Sequence, residues 1–143
     1  MKVGFDYDDT IDEHVSSFQL QRSFLIRALS GMIAIRELFI ISARKDNGKN
    51  RAEIMDFMKN IHVSFTPENL FLGFSGEKKA KLAKTLDIRL FFDDDATVVA
   101  SMIDEGIDAF LVGTFLSTQY RLAWLKETPK DIIDLYPSEK WKI

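Results

Sequence analysis

The sequence contains no cysteine, so disulfides and thiolate metal sites are excluded, and a reducing compartment such as the cytoplasm is compatible. No apolar run approaches the roughly 20 residues of a membrane-spanning helix. The first residues read as a strand rather than a signal peptide. Proline and glycine are sparse, at 3 and 7 of 143 residues, which removes the fibrous and low-complexity classes. A large excess of one charge is also missing: the net charge of −3 gives no reason to expect a surface that coats nucleic acid, although a local basic patch stays open. No repeat or linker interrupts the chain. What remains is an ordinary globular composition, 46% hydrophobic and 29% charged, in a length that suits one domain over residues 1–143 with a single sizeable core. The expectation is a small cytoplasmic domain.

Short apolar runs alternate with amphipathic stretches along most of this length. Buried strands are predicted over residues 2–5, 38–41, 70–72, 89–92 and 109–112. Helical spacing of apolar residues predicts helices between them. One covers about 13–30, through Val15, Phe18, Leu25 and Leu29, with Gly31 as its stop. Others cover 50–61, through Ile54, Phe57, Met58 and Ile61, and 78–86, through Leu82, Ala83 and Leu86. A further helix carries Val98, Val99, Met102 and Ile103, with Gly106 at its C-cap. Two more are expected around 120–126 and 131–135. Strands separated by such helices imply a parallel sheet covered on both faces, and right-handed crossovers make it a three-layer, doubly wound α/β fold of about five strands. Ligands of such sheets bind beyond the carboxyl ends of the strands, where the strand order reverses.

The polar residues gather at those ends. Asp6 and Asp8 follow the first strand, Ser42 ends the second, and Asp93, Asp94 and Asp95 follow the fourth. Adjacent carboxylates repel and resist burial, so converging Asp6, Asp8, Asp93 and Asp94 call for a cation. Oxygen-only ligands favour Mg²⁺ over zinc, and Mg²⁺ held by a few carboxylates typically serves a phosphorylated substrate. A carboxylate can attack phosphorus, and a second can protonate the leaving oxygen and then deprotonate water. A hydroxyl at Ser42 and an ammonium at Lys78 or Lys79 are fitting companions for phosphoryl oxygens.

Asp6-Tyr7-Asp8-Asp9-Thr10 resembles the DxDxT signature of the haloacid dehalogenase (HAD) superfamily of phosphatases. The strand ending in Ser42 resembles that superfamily's second motif, Lys79 its third, and Phe91-Phe92-Asp93-Asp94 its fourth; together they span about residues 2–112. The resemblance implies a Mg²⁺-dependent phosphomonoesterase with Asp6 as nucleophile and Asp8 as general acid/base. Asp6 with Asp93 or Asp94 would bind Mg²⁺. Ser42 and Lys79 would hold the phosphoryl oxygens, with Ala43 and Arg44 beside them, and Thr10 would act mainly through the backbone turn. Cap domains of the superfamily lie after the first motif or between the second and third. Neither residues 11–36 nor 43–77 has room for one, so a capless, open site is expected. Asp9 departs from the Gly that many relatives carry there.

Blander readings compete at several positions. Asp95, just before a helix, reads as an N-cap. Lys79 shares its helix with Lys78, Lys81 and Lys84; its helical phase sets it with Leu82, Ala83 and Leu86, whereas Lys78 is turned about 100° away. Arg44, Lys45, Lys49 and Arg51 form either a solvated loop or a grip on further phosphates, as on a nucleotide or a nucleic-acid end. His14 reads as a helix-start residue, and Tyr120 with Trp124 as packing. Rival functions are a non-catalytic phosphate- or nucleotide-binding module, a metal-dependent nuclease, and a phospho-accepting receiver. The last would want an aspartate after strand three and a lysine after strand five, where Gly73 and Gly113 sit. The sequence is silent on oligomeric state.

Overall fold

A computed structural model describes residues 1–12, 26–27 and 29–112. Among these residues five strands form one sheet: β1 (Val3–Phe5), β2 (Leu38–Ser42), β3 (Leu70–Leu72), β4 (Leu90–Asp93) and β5 (Asp108–Leu111). All neighbours are parallel, in the order β3-β2-β1-β4-β5. Among the described residues, three helices connect strands: α1 (Gly48–Asn60), α2 (Glu77–Thr85) and α3 (Ala96–Asp104). This is an α/β fold of the Rossmann-like kind. The expected strands recur within a residue of their places. The expected helices at 120–126 and 131–135, most of the one at 13–30, and Gly113, His14, Tyr120 and Trp124 lie outside the described residues.

Period-two alternation explains how both sheet faces are filled. On β2, Leu38 and Ile40 point to one face with Val3, Phe5, Ile54 and Met58, while Phe39 and Ile41 point to the other with Ala80, Ala83, Phe91 and Met102. α1 therefore covers one face; α2 and α3 cover the other. Ile26 joins the first of these clusters. Complete burial of Ile54 and of Met58, one helical turn apart, contributes about 1.5–3 kcal/mol each. Gly4 is required by packing: a Cβ there would meet the Phe91 ring at 2.6 Å.

Two of these helices start at a side-chain cap, whereas Gly76 before α2 makes no such bond. Asn47 caps α1 by accepting from the Asn50 N–H at 2.8 Å. Asp95 caps α3, accepting from the Thr97 N–H at 2.8 Å, as its position in sequence suggests. Gly106, at φ 79°, follows the last turn of α3 in the left-handed region that glycine enters freely. On α2 the buried face is Lys79, Ala80 and Ala83, with Leu82 and Leu86 half-buried at its flanks. The segment from Ala43 to Gly76 holds only α1, a 3₁₀ turn (Pro67–Asn69) and β3.

After β1 the chain builds β2 and β3 to one side, then crosses to build β4 and β5 on the other. The strand order thus reverses between β1 and β4, which splay their connections apart and leave a crevice at their carboxyl ends. Asp6 follows β1 and Asp93 ends β4. The topology alone brings these two carboxylates together.

Candidate active site

The crevice is a cleft of about 220 Å³ whose lining includes Asp6, Asp8, Ser42, Lys79, Asp93 and Asp94. A larger hollow, about 580 Å³, lies at the far end of α1 around Met55, Lys59, His62 and Phe65, away from these carboxylates.

Asp6 is fixed by its backbone and by both oxygens. Its N–H donates to Phe92 O at 2.9 Å, continuing the β1–β4 ladder beyond the strand. Its Oδ1 accepts from Lys79 Nζ at 2.8 Å and its Oδ2 from the Thr10 hydroxyl at 3.2 Å. Thr10 thus acts through its side chain as well as through the turn that its N–H closes on Tyr7 O at 3.2 Å. Asp9, within that turn, stands at φ 60°, a left-handed conformation that glycine reaches without cost and aspartate tolerates better than most.

Lys79 is 3% exposed. From the first turn of α2 its ammonium donates to Asp6 and also to Asp93 Oδ2 at 3.0 Å. Burial works against its charge, but the Asp6 and Asp93 carboxylates outweigh it and hold its pKa above that of ordinary lysine. Lys78 is exposed, so the lysine in the site is Lys79. Asp93, 1% exposed, also accepts from the Asp95 N–H at 2.9 Å. Burial, then the Asp6 charge, push its pKa up to about 6, against the pull of Lys79. Asp94 is half-buried beside it; burial, the Asp6 charge and a hydrogen bond with Asp6 push it up to about 9.

Asp6, Asp93 and Asp94 each offer an oxygen, and these oxygens lie within 4.8 Å of one another. With all three carboxylates ionised, one ammonium would leave two negative charges in a largely buried space. Burial first, and then the neighbouring carboxylates, raise the Asp94 pKa in this space. The donor set fits a hard divalent cation such as Mg²⁺.

Asp8 is grouped differently. It is outside that triad, and the guanidinium of Arg44 grips it with Nε to Oδ2 and Nη2 to Oδ1, both at 2.8 Å. Ser42, 1% exposed, accepts from the Arg44 N–H at 3.1 Å, which leaves its own O–H proton to donate. Ala43 is exposed at the rim. The basic loop turns out divided. Arg44 is committed to Asp8, and its Nη1 lies 3.3 Å from Glu53. Arg51 pairs with Asp46 at 2.7 Å and donates to Leu70 O at 3.2 Å. Lys45 and Lys49 are exposed. Sequence reasoning missed the Arg44–Asp8 pair, for which periodicity has no signal, and Ser75 and Gly76, which also line the cleft.

Compared with family models and with curated proteins, the chain matches none.

Proposed function

We propose that this chain is a Mg²⁺-dependent phosphomonoesterase of HAD type that works through an aspartyl-phosphate on Asp6. The observation that carries the reading is the placement of Asp6. It stands at the strand-order reversal, held on one oxygen by buried Lys79, with two further carboxylates close enough to share a cation. In this reading Asp6, Asp93 and Asp94 hold Mg²⁺, which supplies charge neutralisation for the phosphoryl group. Lys79 and the Ser42 hydroxyl orient two phosphoryl oxygens. A carboxylate oxygen of Asp6 forms a bond to phosphorus as the ester oxygen departs, and Asp8 protonates that leaving oxygen. Asp8 then takes a proton from water, whose oxygen attacks phosphorus and releases phosphate and free Asp6.

The segment between Ser42 and α2 carries one helix, one turn and one strand, which supports a site without a cap there. Exposed Lys45 and Lys49, on the stretch that follows Ser42 and Ala43 of the cleft lining, suit a substrate with further phosphates, such as a nucleotide or a nucleic-acid end. One observation favours a second reading, a phosphate-binding module without turnover: both oxygens of Asp8 are occupied by Arg44. A panel of phosphomonoesters and a phosphodiester, assayed with Mg²⁺ and with excess chelator, separates the readings. Chelator-sensitive phosphate release, lost in Asp6→Asn, supports the phosphatase. Saturable phosphate binding without release in the wild type sinks it.

A further inference from the structure

Arg44 is held at every polar group it has. Its N–H donates to Ser42 Oγ at 3.1 Å, and its carbonyl accepts from the Gly73 N–H at 2.8 Å. Nε and Nη2 go to Asp8, and Nη1 faces Glu53 on α1. The guanidinium carbon lies 5.1 Å from the centre of the Tyr7 ring. That ring is in turn packed edge-on against Phe57 at 5.7 Å, and its hydroxyl donates to Asp12 at 3.3 Å. The Asp8 bonds come first among the causes that raise the Arg44 pKa. An arginine meant to grip substrate keeps its fork open toward the cleft. Here the fork is spent on protein.

From this we infer that Arg44 is a positioning residue that acts through Asp8. Two parallel hydrogen bonds from a planar fork fix both the direction and the roll of a carboxylate, which a single point charge does not. Asp8 follows β1 beyond the β1–β4 ladder, in a turn bridged to Asp12 that leaves the roll of its carboxylate to side-chain partners. Ser42 ends β2, the neighbouring strand. Arg44 joins the two: its main chain is tied to the hydroxyl that would orient phosphate, and its side chain to the carboxylate that would move the proton. Tyr7 beneath the fork and Glu53 beside it keep the guanidinium plane from turning. The inference rests on the catalytic role proposed above for Asp8.

The test is a double-mutant cycle on a phosphomonoester with a poor leaving group, using the full chain with Mg²⁺. Arg44→Ala should lower kcat by about 10²-fold, a loss of the size of impaired acid–base catalysis, and should change KM less than threefold. Arg44→Lys, which keeps the charge and loses the fork, should recover less than a tenth of wild-type kcat. In an Asp8→Asn background, Arg44→Ala should cost less than about threefold more, because the group it serves is already gone. Losses that multiply, full recovery with lysine, or an effect confined to KM would each overturn the positioning role and return Arg44 to substrate binding or bulk charge. If Arg44→Ala does not fold, Arg44→Gln takes its place in the same cycle. A wild-type protein inactive on every phosphomonoester would instead overturn the phosphatase reading, and this inference with it.

Discussion

Two clusters of charge flank the same cleft and have opposite fates. At the β1–β4 edge, Asp6, Lys79 and Asp93 are nearly sealed from solvent, and each is a partner of another across the fold. In the stretch at residues 44–51, a loop that runs into the first turn of α1, Lys45, Asp46 and Lys49 are exposed, and Arg51 is neutralised by Asp46, five residues before it. The difference is one of cost. Burying an ion costs several kcal/mol, so a buried cluster must be specified by the whole structure around it. An exposed charge costs little and is screened within about 8–10 Å at physiological ionic strength. Burial, more than charge density, separates a constructed site from a solvated loop.

The strongest way to break this contrast is at Asp6. Asp6→Asn should lower turnover at least about 10³-fold, since an amide is a poor nucleophile, while like-charge repulsion is relieved and the fold is kept. Substantial residual turnover by a purified, folded variant would remove the covalent mechanism.

Lys79 and Lys78 sharpen the comparison on a single helix turn. Lys79→Ala leaves Asp6 and Asp93 without their shared cation, and loss of one member of a buried ionic cluster costs about 3–5 kcal/mol. Lys78→Ala, at an exposed position, should stay within about 0.5 kcal/mol. Urea unfolding of both variants decides it; equal losses would mean that burial does not set the cost.

The third test uses pH. Folding raises the pKa of Asp93 to about 6 and of Asp94 to about 9, above the ordinary carboxyl value of 3.8. The folded state then binds more protons than the unfolded state between about pH 4 and 9, so metal-free protein loses stability as pH rises through that window. A divalent cation competes with those protons, so its binding should release protons and tighten as pH rises. At Mg²⁺ a hundredfold above Kd, linkage contributes about 2.7 kcal/mol, a Tm increase on the order of 5–10 °C. At one fixed Mg²⁺ concentration the gain should be larger at pH 8.5 than at pH 6. Calorimetry at the two pH values checks the sign, and a gain that shrinks with pH contradicts the ligand assignment.

The smallest effect belongs to the exposed loop. Because Arg44 serves Asp8, only Lys45 and Lys49 remain as candidates for a second phosphate. Replacing both with alanine should reduce a preference for multiply phosphorylated substrates over an aryl phosphate by only a few-fold in kcat/KM, and the effect should vanish in high salt. A salt-independent loss of both activities would give the loop a structural role.

How much of this was legible in the sequence follows from the range of each interaction. The described strands and the helices α1 to α3 are written in local periodicity, and their ends differ from expectation by only a residue or two. Asp95 as cap and Lys79 in place of Lys78 are also local, fixed by helix phase. The 3₁₀ turns at Ile35–Glu37 and Pro67–Asn69 carry no periodic signal and were not anticipated. The grip of Arg44 on Asp8 spans 36 positions, and strand order as well as loop path must be known before the two meet. Asp8 falls with Asp6, Asp93 and Asp94 by its place after a strand end; its carboxylate also meets Arg44, a partner that no strand-end pattern signals.

β1 is flanked by β2 and β4, and the ladder runs on to the Asp6 N–H. Amides of a strand enclosed in this way exchange with solvent only when the whole sheet opens. The proposed nucleophile therefore rides on one of the last segments to come apart, whereas the Asp8 carboxylate is gripped by a side-chain fork from a loop. In a denaturant titration followed by hydrogen exchange, protection at Asp6 should persist to the global midpoint. Catalysis should already have faded below it, as the Arg44–Asp8 pair loosens first.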